Sequence, residues 1–470
     1  MATAHPAPRV APLYDPSYEH DACGVGLVVD IAGRASREIV EQALAGVVNL
    51  THRGGVGADA RTGDGAGLLT QIPFALFAPD LARFGRPDLE PDELGVAMVF
   101  LPRDDAAEVR ARDLLTAAAA ARGIPVLGWR EVPVDPSVLG PTALATVPRI
   151  AQLLLARPAG LDADAFEREL FLARKGAERA ARREGVDGLF VVSCSARTII
   201  YKGFCLPGDL AAFYADLRDP AYVSAIALFH QRYSTNTFPT WAQAQPFRFI
   251  AHNGEINTVQ GNRTWMRARV PKLSLPDGTG VEDLRPVVSR SGSDSFSLDN
   301  VLELLYHGGR SVPHALMMLV PEPWEQLPDM PADRRAFYDF HAGLMEQWDG
   351  PAALAFSDGV LAGAALDRNG LRPLRYAITA DGVLVAGSEA GTVEIDQRMV
   401  VEKGRLGPGQ MLVVDTARGV VLRNDKIKAE IVARAPYAAW LAAGRVVVDG
   451  EAVGEPETAP SVLSLSLIHI

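Results

Sequence analysis

The chain has 470 residues, of which 48% are hydrophobic and 22% are charged, and its formal net charge at pH 7 is −11. This length allows a large core and more than one lobe, while the acidic balance argues against nucleic acid or an anionic membrane as the main partner. The three cysteines, Cys23, Cys194 and Cys205, are too few for a disulfide framework, and they form no CxxC pair that would indicate zinc or an iron–sulfur cluster.

The first 22 residues form a proline-rich leader, which lacks the apolar core of a signal peptide. Nowhere does the chain approach the roughly 20 consecutive apolar residues of a membrane span. With so few cysteines, these observations fit a reducing cytoplasm. We therefore expect residues 1–22 to be a propeptide and the remainder to be a cytoplasmic protein.

Cys23 follows the leader directly and begins an alternating apolar run, which includes Val25, Leu27 and Val29 and has the period of a half-buried strand. Cleavage before Cys23 would place a free α-amine on the same residue as the thiol. Because such an amine has a pKa of roughly 7.7–8.0, it can take the thiol proton. Taken alone, however, a single cysteine is more often a small buried residue.

After this strand, a helix is predicted from Ser36, which can cap it. A glycine-dense stretch follows at 51–67; no Lys-Ser/Thr pair follows its glycines, so it is not a nucleotide-binding P-loop, and taken alone it is more often a tight structural loop. Another helix is predicted over 105–122, with Asp105 and Glu108 at the spacing of a capping box.

The rest of the chain predicts many strands, several of them joined by tight turns at Asp358-Gly359 and Asp381-Gly382. These strands are expected at 94–102, 125–132, 188–195, 197–204, 222–230, 247–252, 351–357, 360–367, 373–378 and 383–387. Helices are expected near 163–184, 258–269, 295–306 and 332–346. The segments 188–195 and 197–204 are predicted to form a hairpin. Strands joined by short turns, with helices in separate blocks, favour an antiparallel α+β layered fold.

Polar residues and glycine concentrate at the ends of predicted strands, in the blocks 230–237, 252–257 and 291–295. A thiol that cleaves an amide needs donors for the oxyanion, and the Asn253 side chain and the Gly254 N–H can supply them. An α-amino-acid substrate needs a cation for its carboxylate, for which Arg232 offers a bidentate fork, and a carboxylate for its ammonium group, which Asp294 can provide.

Each of these residues has an ordinary alternative role. Asn253-Gly254 is the commonest hairpin-turn dipeptide, Arg232 could form a surface ion pair, and Asp294 could cap the helix expected near Ser295. The coincidence of all of them at strand ends favours a site.

A metal site is not predicted. The nine histidines show no HExxH motif and no regular ligand spacing. His230 and His252 are instead expected to form hydrogen bonds at strand ends near the site, and the same role is expected for His52.

Several motifs match a known family: Cys-Gly-Val-Gly at 23–26, Leu-Thr-His-Arg-Gly at 50–54, His-Gln-Arg-Tyr-Ser-Thr at 230–235 and His-Asn-Gly-Glu-Ile-Asn at 252–257. These motifs resemble those of the class II glutamine amidotransferases, which are N-terminal-nucleophile hydrolases. Further blocks are most similar to the glutamate synthase large-subunit family; they lie at 62–67, 236–241, 291–295, 367–373 and 404–409. The similarity extends from about Cys23 to about Lys428.

The resemblance implies a four-layer αββα sandwich, in which two antiparallel sheets lie between helix layers. It also implies a division into a propeptide at 1–22, an amidotransferase domain at 23–428, and a linker or truncated central domain at 429–470. The last ten residues, 461–470, match nothing expected in the family and suggest a truncated or misassembled reading frame.

For the site, the resemblance implies that Cys23 is the nucleophile, that Asn253 and Gly254 form the oxyanion hole, and that Arg232 and Asp294 hold the α-carboxylate and the α-amine of glutamine. A loop that closes over glutamine would contain Tyr233, Ser234 and Thr235, and Arg53 would support the site around the nucleophile.

The implied reaction is hydrolysis of L-glutamine to glutamate and ammonia through a cysteine thioester, with the ammonia destined for reductive amination of 2-oxoglutarate in synthase domains. No cofactor is expected in this chain; FMN and an iron–sulfur cluster are expected in a missing C-terminal part, with a small NADPH-dependent flavoprotein subunit as a further partner. Two alternatives remain: an amidotransferase domain that feeds another acceptor, and an unprocessed, non-catalytic fragment.

Overall fold

The computed structural model describes residues 23–232, 234, 237–289 and 292–445. The predicted propeptide at 1–22 lies outside the described residues, as do residues 446–470 of the predicted linker or truncated central domain, which include the predicted tail at 461–470. In the described part of the chain, the paired strands all run antiparallel.

In chain order the strands are β1 (Gly24–Asp30), β2 (Ala66–Gln71), β3 (Leu94–Leu101), β4 (Val126–Glu131), β5 (Arg149–Ala156), β6 (Phe190–Ser195), β7 (Thr198–Gly203), β8 (Ile226–Gln231), β9 (Ile250–Gly254), β10 (Ala352–Ser357), β11 (Leu361–Leu366), β12 (Arg375–Thr379), β13 (Val383–Gly387), β14 (Val400–Arg405), β15 (Met411–Asp415) and β16 (Val420–Arg423).

The α-helices are α1 (Arg37–Asn49), α2 (Phe74–Arg83), α3 (Asp105–Ala121), α4 (Pro141–Thr146), α5 (Ala163–Glu184), α6 (Leu210–Phe213), α7 (Val259–Arg269), α8 (Val281–Leu284), α9 (Asp294–His307), α10 (Val312–Leu319), α11 (Ala332–Ala342), α12 (Asn424–Val432) and α13 (Tyr437–Gly444).

Two large sheets form the centre of the fold. The front sheet has the strand order β14-β12-β13-β1-β8-β2-β7, and the back sheet has the order β16-β15-β11-β10-β9. The sheets face each other, with β1 lying against β9 and β10. Their facing side chains belong to one buried cluster, which contains Leu27 and Val29 of β1 and Ala353 and Ala355 of β10.

Helices cover the outer faces of both sheets. Helix α1 packs on β1, β2 and β8, and this close approach requires glycine: a Cβ on Gly26 or Gly46 would lie 2.2 or 2.5 Å from the Phe229 ring. Helices behind the back sheet share a second buried cluster with it, in which Leu302 of α9 joins Leu354 of β10. The α+β fold with an αββα layer order is therefore confirmed.

The sequence did not indicate a third sheet. This side sheet has the order β4-β5-β3-β6. The predicted hairpin of 188–195 and 197–204 is wrong, because β6 pairs with β3 in the side sheet while β7 pairs with β2 in the front sheet. The Ser195 hydroxyl supports this crossing: it donates to the buried Glu167 carboxylate (2.9 Å) and accepts from the Thr198 N–H (3.1 Å).

Several local predictions are confirmed. Ser36 caps α1, α5 spans the predicted 163–184, and Gly359 and Gly382 occupy their hairpin turns with φ of +88° and +92°. The residue predicted to cap α3 is wrong by one position: Asp104 accepts the capping N–H at 2.9 Å.

The C-terminal part of the described chain packs in the buried cluster behind the back sheet. The predicted domain boundary near Lys428 falls within α12, and Ile431 of α12 and Tyr437 of α13 pack in the cluster behind the back sheet. Among the described helices, none is long and apolar enough to cross a bilayer.

Candidate active site

Cys23 lies at the start of the middle strand of the front sheet. Gly24 pairs with Gln231 of β8, so the register places Cys23 beside Arg232, whose N–H donates to the Gly65 carbonyl (2.8 Å). A Cβ on Gly24 would meet Leu50 on the α1 side of the sheet. Since side chains alternate along a strand, Cys23 faces the opposite way, towards the back sheet.

Asn253 and Gly254 end β9, the edge strand of the back sheet. Ala251 belongs to the cluster between the two sheets, whereas Ile250 belongs to the cluster behind the back sheet. Alternation along β9 therefore directs the Asn253 side chain towards the front sheet. That side chain is 3% exposed, and its Oδ1 is buried without a hydrogen-bond partner.

Only glycine fits position 254. Its φ is +150°, and a Cβ there would lie 1.7 Å from the Pro351 carbonyl oxygen. The backbone N–H of His252 points away from the neighbouring strand β10 and donates to Gln245 Oε1. Because backbone groups at the edge of an antiparallel sheet alternate between pairing with the neighbouring strand and facing outward, the Gly254 N–H points the same way as that of His252.

A cavity of about 360 Å³ joins these elements. Its size suits a small ligand. It brings together five of the predicted site residues, which are Cys23, Arg232, Ser234, Gly254 and Asp294. Asn253 lies between Gly254 and one further lining residue, His252.

Arg232 is a buried cation on the cavity wall. It is 4% exposed, so the alternative of a surface ion pair is wrong. Its Nη2 donates to Thr237 Oγ1 (2.7 Å), while Nη1 is buried without a partner. Burial lowers the pKa of this guanidinium, against the opposing effect of Cys23, Asp64 and Asp294. A buried donor without a partner is costly, and an anionic ligand in the cavity would satisfy it.

Asp294 lies on the same cavity at the start of α9. It is not the helix cap, because Ser293 accepts the capping N–H of Phe296 (3.1 Å). One Asp294 carboxylate oxygen accepts the Ile256 N–H (2.6 Å). The alternative role of Asp294 as the helix cap is therefore wrong, and its carboxylate lies on the cavity wall.

The predicted closing loop is only partly described. Tyr233 and Thr235 lie outside the described residues. The Ser234 N–H donates to an Asp64 carboxylate oxygen (2.6 Å), and its hydroxyl donates to the Thr237 carbonyl. Burial raises the pKa of Asp64, against the effects of the Ser234 hydrogen bond and the Arg232 charge. Asp64 belongs to the block at 62–67 that carries the family similarity, but no role was predicted for it.

Arg53 is bound to a glutamate that the sequence did not indicate. Its Nε donates to a Glu389 carboxylate oxygen (2.7 Å), and the other oxygen lies 3.0 Å from His52 Nε2. Burial alone would raise the pKa of Glu389, but the hydrogen bonds from Arg53 and His52 hold it below its ordinary value. Arg53 thus fixes the loop before β2 against the segment after β13.

The two histidines near the cavity make the hydrogen bonds that the sequence predicts. His230 Nε2 lies 3.1 Å from the His252 carbonyl, and His252 Nδ1 lies 2.7 Å from Ser295 Oγ. Burial lowers the pKa of His230 to about 3 and also lowers that of His252. Both rings are therefore neutral near pH 7 and act through hydrogen bonds.

The cavity thus combines a thiol, outward backbone and amide groups, a buried cation and a carboxylate. This set can bind a zwitterionic amino acid and present its side-chain carbonyl to the thiol.

The known proteins that are similar to the chain agree with this chemistry. The family described as "Glutamine amidotransferases class-II" matches residues 23–440, so the match starts at Cys23.

Curated relatives include the glutamate synthase [NADPH] large chains of Bacillus subtilis (44% identity) and Azospirillum brasilense (43%), and the ferredoxin-dependent glutamate synthase 2 of Synechocystis sp. (44%). The alignments cover 93%, 92% and 93% of this chain but 29%, 28% and 28% of the relatives. The chain therefore spans less than a third of the length of these relatives.

Among solved structures, a glutamine phosphoribosylpyrophosphate amidotransferase from B. subtilis aligns over 70% of this chain and 49% of its own length, with 14% identity and a TM-score of 0.28. The family match spans nearly all the described residues, and the chain belongs to the class II glutamine amidotransferases.

Proposed function

We propose that this chain hydrolyses L-glutamine to glutamate and ammonia, with Cys23 as the nucleophile after removal of residues 1–22. One observation carries the proposal: Cys23 shares a cavity with a buried guanidinium that has an unpartnered donor, and with the carboxylate of Asp294. This pairing is complementary to the carboxylate and ammonium groups of an α-amino acid.

In the proposed reaction, the α-amine of Cys23 takes the thiol proton, and the thiolate attacks the amide carbon of glutamine. The Asn253 side-chain amide and the Gly254 N–H stabilise the oxyanion. The α-ammonium group then returns the proton to the leaving nitrogen, so that the C–N bond breaks and ammonia departs. Water finally attacks the thioester, releasing glutamate and restoring the thiol.

The other site residues act on substrate binding. Arg232 binds the α-carboxylate of glutamine, and Asp294 binds its α-ammonium group. Ser234, with Tyr233 and Thr235, belongs to the loop that closes over the substrate and excludes water. Arg53 supports the segment next to the nucleophile through its ion pair with Glu389.

The ammonia is proposed to serve reductive amination of 2-oxoglutarate in synthase domains, because the curated relatives are glutamate synthases that are more than three times as long as the matched region. FMN, an iron–sulfur cluster and contact with a small NADPH-dependent flavoprotein subunit are assigned to such further domains. A cytoplasmic location is proposed because the three cysteines are too few for a disulfide framework.

The residues of this chain do not fit an iron–sulfur cluster. Cys194 lies in the side sheet, where its thiol donates to the Leu170 carbonyl (3.6 Å) and burial raises its pKa to about 12. Cys205 is buried in the loop that follows β7. Within the described ranges, no group of three or more His, Cys, Asp or Glu side chains is placed to hold a metal ion.

Labelling with 6-diazo-5-oxo-norleucine, a reactive glutamine analogue, tests the proposed function. The purified chain is incubated with the analogue, and its N-terminal peptide is then analysed by mass spectrometry. We expect an adduct on a Cys23 that is itself the N-terminus. An unmodified Cys23 behind an intact leader would contradict the proposal and favour a non-catalytic fragment.

Replacing Arg232 with lysine is expected to raise the KM for glutamine by about 10–100-fold with a much smaller change in kcat, because lysine cannot form the two-pronged carboxylate contact. Steady-state glutaminase assays measure both constants. Arg130→Lys is a matched control, since Arg130 binds Asp216 through two hydrogen bonds away from the cavity. An unchanged KM in the Arg232 variant would exclude the carboxylate-binding role.

A further inference from the structure

A short segment at 242–245 connects the two halves of the cavity. It follows the described part of the closing loop and precedes β9. The Lys202 Nζ donates to the carbonyls of Ala242 (2.9 Å) and Ala244 (2.7 Å). Lys202 is 1% exposed, and its Nζ lies 4.9 Å from the centre of the Phe247 ring. A buried amine with two carbonyl acceptors holds the alternate peptide groups of this segment in one place.

Gln245 clamps the strand that carries the oxyanion donors. Its Oε1 accepts the His252 N–H (2.8 Å), and its Nε2 donates to the His252 carbonyl (3.4 Å). Because β9 is an edge strand, these backbone groups would otherwise have no strand partner. The Gln245 amide therefore substitutes for a neighbouring strand, and it does so at the residue directly before Asn253.

Gln243 makes the corresponding contact on the other side of the cavity. Its Oε1 accepts the Ser293 N–H (2.8 Å), and Ser293 both caps α9 and precedes Asp294. Nearby, a Cβ on Gly292 would lie 2.9 Å from Gln243 Nε2, so the glutamine packs closely on this turn. The first carboxylate of α9 is thus fixed through its preceding residue.

We propose that Gln245 and Gln243 are positioning residues, Gln245 for the oxyanion donors and Gln243 for Asp294, and that Lys202 holds the two in register. This inference rests on the proposed function. Each glutamine bonds the backbone of the residue directly before a site residue, and the two glutamines are two positions apart. One segment therefore sets the distance between the reacting end and the α-amino end of the bound substrate.

The test measures kcat and KM for glutamine in the full 470-residue chain and in single methionine variants. Gln245→Met is expected to lower kcat about 10–100-fold with KM changed less than about 3-fold, since misplaced catalytic groups cost rate. Gln243→Met is expected to raise KM about 10-fold with kcat nearly unchanged, because it disturbs only binding of the α-amine. Lys202→Met is expected to change both constants.

Gln71→Met is the matched control. The Gln71 amide also joins two backbone groups, donating to the Gly359 carbonyl (2.9 Å) and accepting the Ala225 N–H (2.9 Å), but it lies at the opposite end of β2 from the cavity. We expect this variant to lower the melting temperature about as much as Gln245→Met while leaving both kinetic constants unchanged.

The outcomes separate this inference from the proposed function. Active wild-type chain with equal, proportionate losses in the Gln245, Gln243 and Gln71 variants would overturn the inference alone, because a purely structural role predicts no division between kcat and KM. A wild-type chain that neither hydrolyses glutamine nor reacts with the analogue would overturn the proposed function, and the inference with it.

Discussion

Replacing Cys23 with alanine is expected to abolish glutamine hydrolysis, lowering kcat by at least about 10⁴-fold, because alanine removes the atom that would form the thioester. The fold is expected to remain intact, since the change deletes a single sulfur at the wall of a cavity. Release of glutamate measures the activity, and thermal unfolding measures the stability.

The Cys23 thiol could also be needed for cleavage of the leader. This comparison must therefore separate leader removal from catalysis. Both proteins are therefore expressed as an initiator methionine followed by residues 23–470, from which the methionine is trimmed before a small residue. Cys194→Ala is the matched control: its thiol is half-buried in the side sheet, where it donates to the Leu170 carbonyl, and we expect full activity. Glutamine hydrolysis by the Cys23→Ala protein would exclude Cys23 as the nucleophile.

The sequence predicted best those elements whose signals are local. Helix α5 matches its predicted bounds because Asp162 caps its first turn, accepting the Ala165 N–H (2.7 Å), and Gly185 ends it with a φ of +68°. The hairpin turns at Gly359 and Gly382 also follow from dipeptides. In each case the determining residues lie within a few positions of the structure that they form.

The side sheet was missed for the opposite reason. The segments that became β6 and β7 are both apolar and separated by a short turn, which is the pattern of a hairpin. Their partners, β3 and β2, lie far away in the sequence. Pairing with either a neighbour or a distant strand buries such segments equally well, so the pattern alone could not decide between them.

The residues of the candidate site also divide into those with a local sequence signal and those whose role depends on distant contacts. The sequence could select Cys23, Asn253, Arg232 and Asp294 because their chemistry is distinctive in blocks rich in polar residues and glycine. In the structure, Cys23, Arg232 and Asp294 line one cavity, and Asn253 lies between two of its lining residues. The predicted strand-end position of block 291–295 is wrong, because Asp294 begins α9. The residues that support these side chains could not be selected from the sequence. Glu389 reaches Arg53 across 336 positions, and its role depends on a contact that no local pattern encodes.

Gln243, Gln245 and Lys202 were missed because glutamine and lysine are ordinarily exposed, and nothing in their spacing signals burial. Gln245 and Lys202 are buried in the structure, and all three bond backbone groups. One usable signal existed: Gln243 and Gln245 are two positions apart in a segment that directly precedes a predicted strand with a site at its end.

Replacing Asn253 with alanine is expected to lower kcat about 10²–10³-fold with little change in KM, because the side-chain amide is proposed to bind the oxyanion more strongly than the ground-state carbonyl. Stability is expected to change little. The Asn253 Oδ1 already lacks a hydrogen-bond partner, so the substitution breaks no bond of that atom.

Asn262→Ala provides the control with the reverse outcome. Asn262 is also buried, but its side chain donates to the Gln347 carbonyl (2.9 Å) and accepts from the Thr258 hydroxyl (2.7 Å). Its replacement is expected to lower the free energy of unfolding by about 1–3 kcal/mol, because buried partners lose their hydrogen bonds, while kcat stays unchanged. If Asn253→Ala instead lowered stability and retained kcat, the oxyanion would have to be stabilised by other groups, and Asn253 would be a structural residue of β9.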